Sequence, residues 1–302
     1  MSEIESAAIA NRSAGPPPDP HRADTLEAFS DVRYRDAFWP GRRYEDSCDR
    51  IALRAMLPAT GERLIEVGAG YGRLADEYAG FRNVILTDVS ETLLEAARQQ
   101  LASEPRYEVV TGDAYSLPFG DASFDAVVCV RVIHHLEDPR PAIAEFARVL
   151  RPGGVLVIES RNKRDLKAII AYLLRRQAWS PFARGSRRYE GTRLVPSCLL
   201  GRGAGRSGSS TCSGQAPQAW SAPVSFLHAP ADLRTWLRRA GLRVEATRSV
   251  GILRLPVLTR HLPAGLLIGL ERVLQVILAS VTPGPSLFLR AVRSGPADPD
   301  ER

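Results

Sequence analysis

Lysine is almost missing from this chain: only Lys163 and Lys167 stand among its 40 basic residues, and the other 38 are arginine. Against 34 acidic residues they leave a net charge of +6. The arginines are scattered and not interleaved with exposed aromatics, so no stripe emerges that would track a nucleic-acid backbone, and no nucleic-acid partner is expected. The joint richness in arginine, alanine, glycine and proline reads as a compositional habit of the source genome. Cysteine is also scarce. Cys48, Cys129, Cys198 and Cys212 form no C-x-x-C pair, and no histidine lies at ligand spacing, so neither a disulfide framework nor a metal site is implied. Cys129 lies in an apolar run, where cysteine is usually a small filler. The first residues lack the basic start and apolar run of a signal peptide, so a cytoplasmic location is the default.

What the chain does have is Leu64 to Gly72, L-I-E-V-G-A-G-Y-G. Leu64, Ile65 and Val67 read as a buried parallel strand, the glycines at 68, 70 and 72 as a tight corner, and Leu74, Ala75 and Tyr78 as the start of a helix. Strand, glycine turn and helix make the nucleoside-cradling corner of a doubly wound α/β fold. The spacing is not the dinucleotide G-x-G-x-x-G, because the third glycine slot of that pattern holds Arg73. An acid, Glu66, also stands two residues before the first glycine. Beside a pyrophosphate it would repel; beside an ammonium or sulfonium it attracts.

Further along, Val84 to Leu86 read as a second strand ending in Thr87-Asp88. An acid there can accept both hydroxyls of a ribose. It can also open the helix Glu91 to Ala102, although Ser90 suffices as that cap. Tyr107 to Val110 make a third strand, followed by Gly112-Asp113-Ala114, which read alone is an ordinary turn. Phe124 to Val130 make a fourth strand, ending in Arg131 and His134-His135. A helix carrying Ile143, Phe146, Ala147 and Leu150 and a turn R-P-G-G at 151 to 154 lead to a fifth, Val155 to Ile158. Before all of these, Tyr44, Cys48, Ile51, Ala52 and Ala55 mark a helix face. Trp39 and Tyr44 either line a substrate side or pack that helix onto the domain.

Glu66 with its glycines, Asp88, Asp113-Ala114, F-D-A-V-V and L-R-P-G-G stand in an order and spacing that resembles the class I S-adenosylmethionine-dependent methyltransferases, in the type 11 group that includes ubiquinone/menaquinone-biosynthesis enzymes. The resemblance covers roughly residues 45 to 165. It implies a Rossmann-like, seven-stranded, mostly parallel sheet flanked by helices, with the last strand antiparallel. It also implies S-adenosyl-L-methionine as cofactor and a small-molecule or lipid-like methyl acceptor. The cofactor would be held by Glu66, Gly68, Ala69, Gly70, Gly72, Asp88, Val89, Asp113, Ala114, Val130 and Arg131. An oxygen or carbon acceptor needs a base, for which His135, then His134, is the candidate; each can equally be structural. Alternatives are a protein that binds S-adenosylmethionine without turnover and an NAD-type oxidoreductase, which Glu66 and Arg73 disfavour.

Around this core, residues 1–33 read as a disordered tail, 193–224 as a low-complexity insertion and 296–302 as a flexible end, so that 34–295 form the domain. Asp165 to Arg176 read as an amphipathic helix, Ala229 to Ala240 as another, and Leu242 to Val250 and Ser286 to Val292 as the last strands. Between those strands the segment 258–284 reads as an apolar helical cap over the acceptor side. Glu271, Arg272 and Gln275 are the only polar stripe of its helix, Pro263 to Val281, which leaves peripheral membrane contact open while disfavouring a span.

Overall fold

The computed structural model describes residues 34–39, 41–189 and 225–295. The expectations for 1–33, for 193–224 and for 296–302 fall outside the described residues. A seven-stranded sheet runs through the domain. Its strands are β1 (Gly61–Val67), β2 (Phe81–Asp88), β3 (Tyr107–Thr111), β4 (Phe124–Cys129), β5 (Leu150–Arg161), β8 (Leu242–Val250) and β9 (Ser286–Arg293). They lie in the order β3-β2-β1-β4-β5-β9-β8. The first five are mutually parallel, and β9 runs antiparallel to both β5 and β8. A small antiparallel pair, β6 (Arg187–Tyr189) with β7 (Ser225–Leu227), stands apart.

The central strands are apolar without alternation because both their faces are covered. All six residues of β4 are buried. On one face Ile65, Val67 and Phe124 meet helices α3 (Arg140–Val149) and α5 (Pro230–Arg239). On the other, Leu64, Ala126 and Val128 meet α1 (Arg43–Met56) and Leu267 of α7 (Ala264–Ile277), with Ala97 of α2 (Glu91–Gln100). Successive strand residues alternate between faces, so Glu66 shares the side of Leu64 and points toward α1. The two remaining helices are α4 (Leu166–Leu173) and α6 (Pro256–His261).

The parallel register sets the site. Val67 lies opposite Thr87, and Asp88 opposite Thr111. The ends of β1, β2 and β3 therefore finish level, and every segment that leaves them crosses one edge of the sheet.

Two elements differ from what the periodicity predicts. The helix expected from Leu74 is one 3₁₀ turn, Ala75–Tyr78. Gly80 packs so tightly on the start of β1 that a side chain there would sit 1.9 Å from the Ala59 carbonyl oxygen. The chain must turn into β2 at that point, which leaves no length for a helix. The second difference is α7. Its stripe predicts apolar residues against the domain, yet the buried residues are Leu267, Glu271 and Gln275.

Candidate active site

The glycine corner is held by β2. The N–H groups of Gly68 and Ala69 donate to the Thr87 carbonyl at 2.7 and 3.0 Å, and that of Gly70 to Asp88 Oδ2 at 2.8 Å. Gly68 has φ +77°, and a Cβ on it would fall 2.0 Å from Val132, so no other residue fits between β1 and the loop leaving β4. Gly72 sits behind the corner against Leu86, Ala97 and Leu101.

Above the corner opens a cleft of about 1040 Å³, the open space at its mouth included. Glu66, Gly68, Ala69, Gly70, Asp88, Val89, Asp113, Ala114, Val130, Arg131 and His135 line it, and Gly72 and His134 do not. Trp39, for which the sequence left a substrate side open, also lines it, and so do Tyr71, Arg73, Leu93, Tyr115, Val132 and Leu136, which sequence reasoning did not place there. Tyr71 and Arg73 could have been found, since they alternate with the glycines of the same turn.

Three acids define the cleft's electrostatics. Glu66 is buried beside the equally buried Tyr78, and its Oε2 meets no donor in good hydrogen-bond geometry. Burial pushes the Glu66 carboxyl up to about 8, against opposing pulls from Tyr78 and Arg73. Asp88 spends one oxygen on Gly70 and the other on the Ser90 N–H at 2.9 Å, while Ser90 itself caps α2 by accepting from Leu93. Asp88 thus holds the corner and the turn into α2, while Ser90 is the helix cap. Burial raises Asp88 as well. Asp113 accepts from the Tyr115 N–H at 3.0 Å, closing the turn that presents Ala114.

Opposite the acids lies an arginine wall. Arg131, at φ +63°, grips Asp49 of α1 through Nε at 2.8 Å and Nη2 at 3.2 Å, and its backbone N–H donates to Glu159 at 2.9 Å. Arg73 reaches the same Asp49 at 3.1 Å. The guanidiniums stack on Trp39, 4.0 Å from its ring centre for Arg73 and 5.1 Å for Arg131. Trp39 therefore faces the cleft, while Tyr44 packs α1 onto the domain through its bond to Glu271.

The two histidines separate in role. His135 is half-buried at the cleft wall. His134 is buried behind it, its ring 4.2 Å from that of His135 and its Nδ1 3.7 Å from Glu159 without a hydrogen bond. Burial, then the neighbouring charges, hold the His134 imidazole well below its usual range. A histidine so placed is neutral at physiological pH. Its folded-state value lies below the unfolded one, so its contribution to stability is present above about 6.5 and is lost as pH falls. His228, buried and pushed down to about 4, acts in the same direction. A melting temperature that falls between pH 6.5 and 5, and falls less in His134→Gln, is the expected outcome; parallel profiles would contradict it.

The sequence model of the methyltransferase domain family matches residues 65–158, the strands and loops that build this cleft. This stretch is a methyltransferase domain. The chain is 42% identical over 115 residues to a demethylmenaquinone methyltransferase of Clavibacter sepedonicus, covering 37% of this chain and 47% of that one. It is 33% identical over 146 residues to the 27-O-demethylrifamycin SV methyltransferase of Amycolatopsis mediterranei, covering 45% and 54%. The chain thus spans about half the length of these relatives. A chain of the Haloferax volcanii complex between the Trm112 methyltransferase activator and a methyltransferase superposes with a TM-score of 0.56 at 19% identity, over 91% of this chain and 98% of that one. At that identity the likeness speaks for the fold, which is the class I methyltransferase fold.

S-adenosyl-L-methionine is the cofactor that goes with this domain family, and the methyltransferase cleft fits it. A carboxyl buried in the cleft wall suits a cationic amino acid end, and an acid on the next strand tip suits a ribose. Burial favours the protonated form of Glu66 near neutral pH, and a cation seated beside it favours the carboxylate. Binding of the cofactor near neutral pH is therefore expected to release protons, seen in calorimetry as a heat that varies with the buffer's ionisation enthalpy. Glu66→Gln should abolish the variation. A buffer-independent heat in the wild type would contradict the assignment.

Proposed function

We propose that this chain transfers the methyl group of S-adenosylmethionine to a small-molecule or lipid-like acceptor in the cytoplasm. The observation that carries the reading is Glu66, a carboxyl buried in the cleft wall beside the glycine corner and one strand from Asp88. When bound, the cofactor supplies an electrophilic methyl group on a sulfonium. Glu66 holds its amino acid end, Asp88 its ribose, and Asp113 with the Ala114 N–H its adenine edge, framed by Val89 and Val130. Arg131 and Arg73 steady the opposite wall under Trp39.

The work left to the protein is to align acceptor and methyl and to exclude water, which for well-oriented groups is worth up to about 10⁵ to 10⁸ M in effective concentration. His135, on the wall and half-buried, takes the proton from an acceptor hydroxyl or activated carbon. His134 does not reach the cleft and serves by packing behind it. The relatives' printed names point the same way: one acts on demethylmenaquinone and another on 27-O-demethylrifamycin SV.

The test is incubation with methyl-labelled S-adenosylmethionine and a fractionated metabolite extract, with demethylmenaquinol and phenolic acceptors as defined arms. Transfer of label to an acceptor, with loss of turnover in His135→Ala, is the expected result. Tight cofactor binding with no labelled acceptor in any arm would turn the reading toward a binding protein without turnover.

A further inference from the structure

Helix α7 is amphipathic in reverse. Glu271 and Gln275 are fully buried and Leu267 nearly so, while Leu266, Leu270, Val273, Val276, Ile277 and Val281 are 45–65% exposed. The rotation is locked. Glu271 accepts from the Tyr44 hydroxyl at 2.6 Å and from the N–H groups of Gly251 at 2.7 Å and Ile252 and Leu253 at 3.3 Å, and Gln275 donates to the Cys48 carbonyl at 3.2 Å. Rolling the apolar side inward would break all of these and leave the buried Tyr44 hydroxyl and the N–H groups of residues 251–253 without their acceptor, so the helix must show its hydrocarbon outward.

Two neighbours do the same. In α6 Val257 is 70% exposed. Helix α4 begins against the segment leaving α7, where the Leu166 N–H donates to the Pro283 carbonyl at 2.7 Å, and it exposes Ile170, Leu173 and the following Leu174. So much apolar side-chain surface is unusual for a face that meets only water. None of it lines the methyltransferase cleft.

The exposed charges of these segments have one sign, and Glu45 of α1 is taken up at 3.0 Å by Arg254, just before α6. Exposed Lys167, Arg175 and Arg176 flank α4, and Arg260 and Arg272 flank α6 and α7. The acids of the segments 163–189 and 251–285 are only Asp165, spent on capping α4, and the buried Glu271. Apolar side chains rimmed by cations alone match the headgroup boundary of an anionic bilayer. A second copy of the chain fits less well, since a two-fold interface would set the cationic rims against one another. Spanning is not at issue: among the described residues no helix is long and apolar enough to cross a membrane.

We propose that α4, α6 and α7 form a docking face for the surface of an anionic phospholipid membrane. Arginine and Lys167 rest on lipid phosphates while the leucine, isoleucine and valine side chains enter the boundary of the acyl layer. Because Tyr44 and Asp49 belong to the same helix α1, one touching α7 and the other the cleft wall, docking sets the cleft in a fixed relation to the lipid. The inference does not depend on methyl transfer, since vesicle binding needs no cofactor.

Flotation of the purified full chain with vesicles of phosphatidylglycerol and phosphatidylcholine, against vesicles of phosphatidylcholine alone, tests it. The wild type should float with the anionic vesicles, and roughly tenfold less with the neutral ones or in high salt, because screening removes the attraction. Leu270→Glu/Val273→Glu and Ile170→Glu/Leu173→Glu should each cut flotation by roughly tenfold. Melting temperature and S-adenosylhomocysteine affinity should stay as in the wild type, since all four side chains are exposed. The proposal is overturned if the wild type stays with the unbound fraction in anionic vesicles, if composition and salt make no difference, or if both double variants float as well as the wild type. It is equally overturned if gel filtration shows a dimer that the variants convert to monomer while vesicle binding is unchanged.

Discussion

Replacing Asp88 with alanine is expected to weaken S-adenosylhomocysteine binding by roughly a hundredfold or more, the loss of two hydrogen bonds to a charged acceptor at about 1.5 kcal/mol or above each. The effect has two sources. One is the ribose contact proposed for the carboxylate. The other is the corner itself, because Oδ2 holds the Gly70 N–H at 2.8 Å and Oδ1 the Ser90 N–H at 2.9 Å. Asp88→Asn separates them. It keeps one oxygen that can hold the Gly70 N–H but loses the charge, so its affinity should fall between the two. Calorimetric titration of folded variants checks this, and an Asp88→Ala protein that binds like the wild type would refute both the ribose role and the clamp.

The largest loss of stability is expected from Asp49→Ala. Asp49 is only 1% exposed and binds Arg131 through two bonds and Arg73 through a third. Its removal strands two guanidiniums against Trp39, and breaking such a buried pair costs about 3 kcal/mol or more. Arg73 keeps Asp46 as a partner, which places the cost at the lower end. For a domain of this size the melting temperature should drop by about 6–12 °C. Asp49→Asn, still an acceptor, should lose less. A melting curve unchanged in Asp49→Ala would mean that the network contributes nothing to the fold.

Much of this was legible in the sequence because it is local. Glu66, Gly68 and Gly70 lie within five residues of chain, and Asp88 and Asp113 each close an apolar run, so spacing alone brings them to the level ends of adjacent strands. The pairs that need distant chain were not legible. Arg131 and Asp49 are 82 residues apart, and Tyr44 and Glu271 are 227 apart. A helical projection of 263–281 finds its polar stripe but cannot say which way the stripe faces; that follows from Tyr44 and the N–H groups of residues 251–253, which need Glu271 inside. The same limit applies to the histidines. Two neighbours at a strand end look alike in sequence, and only the packing of Ile133 and His134 beneath the loop sends His135 to the cleft. The short turn after the glycine corner was hidden for a different reason: the helical spacing of Leu74, Ala75 and Tyr78 is real, but Gly80 cuts the segment to one turn. That turn also offers little helix N-terminus to a pyrophosphate, which agrees with the acid at Glu66 in disfavouring a dinucleotide.

The central claim is that the acid-and-glycine cleft selects S-adenosylmethionine. Parallel calorimetric titrations of the wild type and Glu66→Gln with S-adenosylmethionine, S-adenosylhomocysteine and NAD test it most directly. The account predicts saturable binding of both sulfur nucleosides to the wild type, a clear loss of affinity in Glu66→Gln, and no heat with NAD. Saturable binding of NAD, or indifference of the sulfur nucleosides to Glu66→Gln, would contradict it.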